Sequence, residues 1–109
     1  MTIVGDGLQR RDFTHVMDVV NANFLAAFSD NQEALGGVFN VGTGTNYSVL
    51  KLAKMIGGEY VHIPSRSGEA RHTLADNSKI KQVLGWDPQY CFEDYIKEQV
   101  NDFNKRNSR

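Results

Sequence analysis

The chain has 109 residues, of which 12 are basic and 13 acidic, and its formal net charge at neutral pH is -1. This length predicts one structural unit with a modest core, and the balanced charge excludes a general attraction to nucleic acid or to an anionic membrane surface. The single cysteine excludes a disulfide framework and a cysteine metal cluster, and without a signal-peptide pattern or an apolar run near the ~20 residues of a membrane span, a cytoplasmic protein is predicted.

The first part of the chain predicts two short strands followed by a long helix. Residues 2–4 and 12–16 are β-capable runs, and the first of them is closed by a glycine-rich turn. Apolar residues then recur at helical spacing from residue 16 to residue 28, which predicts a largely buried helix. Residues 29–37 are polar and predict a surface loop, which leads into a predicted strand at 38–41.

The middle of the chain predicts a strand, a tight turn and a helix in succession. Residues 42–46 turn the chain into a helix at 49–56, with Ser48 as its N-cap and two glycines after its last residue. A further strand is predicted at 60–63, ended by Pro64. This order of elements predicts an α/β fold.

Two more helices are predicted toward the end of the chain. Asn77 or Ser78 can cap a short helix that ends at Leu84, and Trp86 follows as a predicted core residue. The last helix is amphipathic, and Cys91 stands where a capping oxygen is expected, which predicts a weak cap. The apolar face of this helix consists of Phe92, Tyr95, Ile96, Val100 and Phe103.

Two loops far apart in the sequence each combine arginines with glycines, at residues 5–13 and 66–71. Guanidinium groups bind phosphate oxygens in pairs and stay charged at any working pH, so the arginines of these loops predict a local anion site. The alternatives are an ion pair of Arg11 with Asp12 or another neighbour and a solvated charge at Arg66. Arg10, Arg71 and the adjoining His72 are interpreted as solvated side chains.

Two further motifs resemble parts of a dehydrogenase site. The run 42–47 has the spacing of a dinucleotide fingerprint, but Tyr47 replaces its third glycine and Glu59 lies too early to bind a ribose, so a plain turn is preferred. Tyr47 and Lys51 match the Tyr-x-x-x-Lys pair of proton-transferring dehydrogenases. If Ser48 is the N-cap, the two side chains diverge, and a strongly depressed pKa of Tyr47 would contradict this interpretation.

Several weak motifs occur together in an order that is fairly specific. The chain resembles the C-terminal third of extended short-chain dehydrogenase/reductases, in the NAD-dependent nucleotide-sugar epimerase/dehydratase family that includes UDP-glucose 4-epimerase. The motifs that carry the resemblance are Gly5-Asp6-Gly7, Arg11-Asp12-Phe13, Phe39-Asn40-Val41-Gly42, Arg66-x-Gly68-Glu69, Ala75-Asp76-Asn77-Ser78-Lys79 and Leu84-Gly85-Trp86-x-Pro88.

The resemblance implies an α/β fold that is the C-terminal substrate-binding part of an extended Rossmann-type fold without its N-terminal NAD-binding half. Residues 1–109 would form one unit, with the strand and helix at 38–57 belonging to the parent parallel sheet.

The resemblance also implies which side chains bind the substrate. Arg11 and Arg66 would hold the diphosphate of a sugar nucleotide, Glu69 would bind the ribose hydroxyls, and Asn40 would lie near the nucleotide. The family usually has aspartate where this chain has Glu69, and the extra methylene puts the ribose contact in doubt.

Enzymes similar to this chain use NAD and a catalytic tyrosine and lysine that the resemblance places upstream of residue 1. The chain is therefore expected to bind a nucleotide-diphosphate sugar, a UDP-sugar first, but neither NAD nor a metal, and to lack catalytic residues when alone. Its expected partner is a second copy or an N-terminal NAD-binding chain, with no nucleic acid and no membrane. The alternative is a non-catalytic nucleotide-binding or oligomerising module that needs a partner chain.

Overall fold

The computed structural model describes residues 1–108, whose contacts group into two compact units. The first unit comprises residues 1–11, 47–73 and the described residues from Cys91 onward. The second comprises Asp12–Asn46 and Leu74–Tyr90. The predicted strand-helix piece 38–57 is thereby divided between the units at residue 47.

The described residues contain helices together with a small parallel sheet, which confirms the predicted α/β class. In chain order the elements are β1 (Thr2–Val4), β2 (Arg10–Arg11), α1 (Val16–Ala27), a 3-10 turn (Gln32–Ala34), β3 (Tyr47–Ser48), α2 (Val49–Ile56), β4 (Val61–Ile63), α3 (Ser78–Leu84) and α4 (Phe92–Asn107).

The first unit contains two small sheets and two helices. β1 pairs in parallel with β4, with Ile3 opposite His62, and β2 pairs in the antiparallel sense with β3. The buried apolar residues Ile3 and Ala53 lie on β1 and α2, and α2 also contacts α4. The parallel pair matters for function because the loops after β1 and β4 leave it at the same edge.

The second unit is built around Trp86, which is 1% exposed and packs with buried Ala22 and Ile80. The Trp86 indole donates a hydrogen bond of 2.9 Å to the backbone oxygen of Asp18. The Asp18 carboxylate, itself buried, accepts hydrogen bonds from the backbone N–H groups that follow at residues 89 and 90. The indole and the buried carboxylate therefore fix the segment after α3 against the first turn of α1, and the prediction that Trp86 is a core residue is confirmed.

Helix α1 occupies the predicted range, but the prediction that it is largely buried is wrong. Only Asp18 and Ala22 of this helix are buried, whereas Val16 and Phe24 are 67% and 63% exposed. The predicted strand at 12–16 is also absent, because the His15 imidazole accepts a hydrogen bond from the N–H of Met17 at 3.0 Å and caps α1 there.

The predicted strand at 38–41 is wrong as well. These residues have no regular secondary structure, Val38 is 81% exposed, and its carbonyl accepts a hydrogen bond of 2.9 Å from the Lys79 ammonium. A strand is stabilised by hydrogen bonds to a neighbouring strand, and the described residues of the second unit form no strand that could be this neighbour. The run 38–41 is apolar and β-capable, but within its unit it has no strand to pair with.

The other predicted helices are confirmed with small changes at their ends. α2 begins after Ser48, whose hydroxyl accepts a hydrogen bond from Lys51 N at 3.1 Å. α3 begins after Asn77, but Asn77 makes no side-chain cap and instead donates to the carbonyl of Gly42 at 3.0 Å. α4 begins after Cys91, whose side chain makes no capping hydrogen bond, as predicted. Within residues 1–108, none of these helices has the length and hydropathy needed to cross a membrane.

Candidate functional site

A polar cavity of about 240 Å³ lies in the first unit, at the loops that follow β1 and β4. Two arginines and two carboxylates are among the residues around it. Its lining residues are Val4, Gly5, Asp6, Gln9, Ser65, Arg66, Glu69, Ala70 and Arg71. Arg66 and Glu69, both predicted from the sequence, share this cavity, whereas the predicted Arg11 is not one of the lining residues.

The position of the cavity follows from the pairing of β1 with β4. Val4 is opposite Ile63 at the end of both strands, and the N–H of Gly5 continues the pairing with a 2.8 Å hydrogen bond to the carbonyl of Ile63. The Gly5 carbonyl lies 2.7 Å from the imidazole Nδ1 of His62. In α/β proteins, ligands bind outside the carboxyl ends of parallel strands, and this cavity has that location.

Asp6 and Arg71 form a bidentate ion pair on the cavity wall. The two guanidinium nitrogens of Arg71 donate to the two carboxylate oxygens of Asp6 at 2.9 and 2.8 Å. The hydrogen bond from Arg71 lowers the pKa of Asp6 to about 2, and a further one from the N–H of Leu8 acts in the same direction. The interpretation of Arg71 as a solvated charge is therefore wrong: its partner lies 65 residues away in the sequence, which spacing alone could not reveal.

Arg66 and Glu69 form a looser pair three residues apart. A guanidinium nitrogen of Arg66 lies 3.3 Å from a carboxylate oxygen of Glu69, and the Arg66 side chain is 70% exposed. Exposed pairs of this kind contribute little stability, so Arg66 can exchange this partner for another anion at low cost. Arg66 is therefore the more available of the two guanidinium groups at the cavity.

The remaining predicted site residues lie elsewhere. Arg11 lies in β2, where its side chain donates a 2.8 Å hydrogen bond to the carbonyl of Arg10. Asn40 belongs to the second unit, in the irregular run 38–41, and is exposed.

The start of α2 has no free N–H groups to offer to a phosphate. The N–H groups of Val49 and Leu50 donate to the carbonyls of Gln9 and Gly7 at 3.0 and 2.8 Å, and that of Lys51 is bound by the Ser48 cap. A dinucleotide site needs these groups to face the ligand. The occupied helix start agrees with the plain turn that the sequence favours over a dinucleotide fingerprint.

Tyr47 and Lys51 do not form an activated pair. Burial raises the pKa of Tyr47, and the carboxylate of Glu93 raises it further, which disfavours the phenolate at neutral pH. Tyr47 lies outside α2, as predicted, but the expectation that the two side chains diverge is wrong: the Lys51 ammonium lies 5.0 Å from the centre of the Tyr47 ring and 3.1 Å from Glu93.

Comparisons with known proteins identify the family. A sequence model of the family described as GDP-mannose 4,6 dehydratase matches residues 1–99. The UDP-glucose 4-epimerase of Mycolicibacterium smegmatis is 38% identical over 95% of this chain and 34% of the relative, and that of Halalkalibacterium halodurans is 31% identical over 92% and 32%. The chain thus spans about a third of the length of these relatives.

Solved structures show the same fold. The UDP-glucose 4-epimerase of Thermotoga maritima, solved with UDP-glucose, aligns with a TM-score of 0.78 at 39% identity, over 96% of this chain and 35% of that one. The UDP-glucuronic acid 4-epimerase of Bacillus cereus, solved with UDP-glucuronic acid and NAD, aligns with a TM-score of 0.82 at 28% identity, over 96% and 35%. The chain therefore belongs to the GDP-mannose 4,6 dehydratase family of extended short-chain dehydrogenase/reductases, and it corresponds to a C-terminal part of their Rossmann-type fold.

Proposed function

We propose that this chain is the substrate-binding region of an NAD-dependent nucleotide-sugar epimerase or dehydratase, and that its cavity receives the diphosphate part of a UDP-sugar. The observation that carries the proposal is the loosely paired guanidinium of Arg66 on the wall of a cavity at the carboxyl edge of β1 and β4. We choose UDP because the two relatives above are named UDP-glucose 4-epimerases, and because the two solved structures contain UDP-glucose and UDP-glucuronic acid.

The size of the cavity supports a diphosphate in it more than a whole nucleotide sugar. Pockets that enclose entire drug-sized ligands measure roughly 300–1,000 Å³, and this one measures about 240 Å³. The nucleoside and the sugar would then extend beyond it. In this proposal Glu69, on the cavity wall, binds the ribose hydroxyls, while Arg11 and Asn40 remain predicted contacts of the nucleotide.

The balance of charge at the cavity singles out Arg66. Two guanidinium groups face two carboxylates there, so the ligand-free cavity is neutral as a whole. Arg71 uses both terminal nitrogens on Asp6, whereas Arg66 makes one contact of 3.3 Å with Glu69. A diphosphate would release the weaker pair first, leaving the Arg66 guanidinium for phosphate and the Glu69 carboxylate for the ribose.

Replacement of Arg66 by glutamine is expected to weaken the binding of UDP-glucose by roughly tenfold or more, since a hydrogen bond to a charged group contributes ~1.5–3 kcal/mol. Isothermal titration of the 109-residue chain with UDP-glucose measures the effect. Arg106→Gln is the matched control, because Arg106 is a 79% exposed arginine of α4 that is also paired with a carboxylate, that of Asp102. Unchanged affinity in Arg66→Gln, or no binding of UDP-glucose by the unaltered chain, would contradict the proposal. An added loss in Arg11→Gln would assign Arg11 to the same ligand.

NAD, in this proposal, is bound by a part of the family fold outside these residues. The solved UDP-glucuronic acid 4-epimerase contains NAD together with its sugar nucleotide, and this chain aligns with 35% of it. The N–H groups at the start of α2 are already bound within the chain, so this helix start does not offer them to the phosphates of NAD.

A second candidate function, an oligomerising module, is favoured by the outer face of α1. Uncharged apolar side chains form a stripe over about a third of the helix circumference at ~3.6 residues per turn. They are Val16, Met17, Val20, Phe24 and Phe28, with exposures of 67%, 48%, 42%, 63% and 75%. An exposed apolar face of this extent on a helix is usually covered by another element. We propose that a second copy covers this face in the isolated chain, because nothing charged on it opposes the packing of two copies.

The double replacement of Phe24 and Phe28 by glutamine is therefore expected to shift the isolated chain from an oligomer toward a monomer. The two rings lie 5.2 Å apart and together form the widest part of the stripe. Sedimentation velocity over a range of concentrations measures the shift. Phe103→Gln serves as the control because Phe103 is similarly exposed, at 65%, but lies on α4. A clean monomer before any replacement would exclude the second copy.

A further inference from the structure

The ion pair of Asp6 with Arg71 has no role in the expectations from the sequence, yet it lies on the wall of the candidate cavity. We infer that Asp6 and Arg71 are positioning residues, whose ion pair holds the loop at 64–70 so that Arg66 and Glu69 face the ligand. This inference rests on the proposed function. It adds two residues that act on the loop carrying Arg66 and Glu69 and that do not themselves contact the ligand.

The backbone of this loop is fixed at its two ends. Before it, Ile63 accepts the hydrogen bond from the N–H of Gly5. After it, the carbonyl of Arg71 accepts a 2.8 Å hydrogen bond from the N–H of Arg10, and the N–H of Thr73 returns one of 3.0 Å to the Arg10 carbonyl. Every residue from 64 to 70 is exposed, so burial of apolar surface does not hold the loop between these ends. Its arrangement must depend on polar contacts.

The Asp6 pair joins Arg71, the residue that directly follows this loop, to the loop after β1. Asp6 is itself held by a 2.9 Å hydrogen bond from the N–H of Leu8 to its carboxylate, so it offers Arg71 a fixed partner. The two parallel contacts of 2.9 and 2.8 Å define the orientation of the guanidinium plane as well as its distance. Arg71 lines the cavity together with Arg66 and Glu69, which precede it by five and two residues.

A direct contact of Arg71 with phosphate is the competing explanation. It would require the guanidinium to leave Asp6, because both of its terminal nitrogens are used there. The two explanations differ in what Asp6→Asn does. If Asp6 positions the loop, its replacement weakens ligand binding; if Asp6 only competes with the ligand for Arg71, its replacement leaves binding unchanged or tightens it.

The exposure of the pair separates its effect on binding from its effect on stability. The Arg71 and Asp6 side chains are 56% and 51% exposed, and ion pairs in such surroundings contribute little to the free energy of unfolding. A change at either residue should therefore alter ligand affinity without altering thermal unfolding. A residue that served only to stabilise the fold would show the reverse.

The first test is titration of the 109-residue chain and its variants with UDP-glucose. Asp6→Asn and Arg71→Gln are each expected to raise the dissociation constant by on the order of tenfold. The double variant should raise it no further than either single change, since both changes remove the same ion pair. Arg71→Lys should recover part of the affinity, and Arg106→Gln should bind as the unaltered chain does. The midpoint of thermal unfolding should move by less than about 2 °C in all of them. Unchanged or tighter binding in Asp6→Asn would overturn the inference in favour of direct contact.

The second test needs no ligand, and it separates a failure of this inference from a failure of the proposed function. Amide hydrogen exchange at residues 66–70 is expected to be several-fold faster in Asp6→Asn and in Arg71→Gln than in the unaltered chain or in Arg106→Gln. Equal exchange in all four proteins would overturn the positioning role even if UDP-glucose binds. Faster exchange without any binding of UDP-glucose by the unaltered chain would overturn the proposed function, and the ligand role of the pair with it, while leaving the control of the loop established.

Discussion

Replacement of Trp86 by alanine is expected to lower the free energy of unfolding by about 3–5 kcal/mol, the range measured for the truncation of buried aromatic side chains. Trp86 is 1% exposed and packs with Ala22 and Ile80 in the core of the second unit. The truncation also leaves the backbone oxygen of Asp18 without its 2.9 Å hydrogen bond from the indole. Since small domains are stable by only about 5–15 kcal/mol, a loss of this size removes a large part of the total.

Equilibrium urea unfolding followed by far-ultraviolet circular dichroism measures this loss, because the fluorescence of the only tryptophan disappears with the replacement. Trp86→Phe is expected to cost less, since the ring fills much of the same space and only the indole hydrogen bond and some volume are lost. Phe28→Ala is the control for removing an aromatic side chain, because Phe28 is 75% exposed. A similar loss in Trp86→Ala and Phe28→Ala would show that the core of this unit is not centred on Trp86.

The helix ends were predictable because their signals are local. Ser48 provides the cap of α2 through a hydrogen bond to a residue three positions later, and the helix ends at two glycines. Gly85 ends α3 with a φ of 65°, in the left-handed region that glycine adopts at least cost. The residues that make these interactions are close together in the sequence, so the sequence alone shows both partners.

The predictions of the fold that are wrong concern elements whose structure depends on residues far away in the sequence. The run 38–41 has the composition of a strand, but a strand also needs a neighbour, and the described residues of its unit supply none. The apolar pattern of α1 predicts a largely buried helix, whereas only Asp18 and Ala22 of this helix are buried. Periodicity indicates which faces can be buried and cannot indicate what covers them.

At the candidate site too, contacts between neighbours in the sequence could be predicted, whereas contacts between distant residues could not. Arg66 and Glu69 are three residues apart, and their meeting at one cavity follows from a single loop. The cavity itself results from the parallel pairing of β1 with β4, two strands that the sequence predicted separately without their register. The sequence favours a solvated Arg71, as is usual for an exposed loop arginine, because nothing local indicates its partner Asp6, which precedes it by 65 residues. The order of motifs indicated the family, and the comparisons confirm it; the geometry of the site required coordinates.

Asp12 illustrates how one carboxylate can hold a whole turn. One of its oxygens accepts hydrogen bonds from the N–H and the hydroxyl of Thr43 at 3.0 and 2.6 Å, and the other from the N–H groups of Gly44 and Ala75 at 2.9 and 3.2 Å. A methyl group at Gly42 would lie 2.4 Å from the Ala75 side chain, so the turn packs closely around these contacts. The sequence motif contained Asp12 but gave no indication of this role.

These contacts make the carboxylate a stronger acid in the folded chain. Partial burial acts to raise the pKa of Asp12, but the hydrogen bonds from Thr43, Gly44 and Ala75 outweigh it and hold the pKa below its ordinary value. A pKa that is lower in the folded than in the unfolded chain means that the folded chain releases the proton more readily. The resulting stabilisation is fully present above the unfolded pKa of ~3.9 and is lost as the pH falls through the folded value.

Asp12→Asn is therefore expected to be less stable than the unaltered chain at pH 7, by about 1–3 kcal/mol, because the neutral amide replaces charge-assisted hydrogen bonds and cannot accept with both of its terminal atoms. The difference should shrink as the pH is lowered below about 4, since protonation of Asp12 then removes the same charge from the unaltered chain. Urea unfolding of both proteins from pH 7 to pH 3 measures the convergence. Asp30→Asn, an exposed carboxylate of the same unit, should track the unaltered chain throughout. A difference that stays constant over this range would show that the carboxylate stabilises the turn through its shape alone and not through its charge.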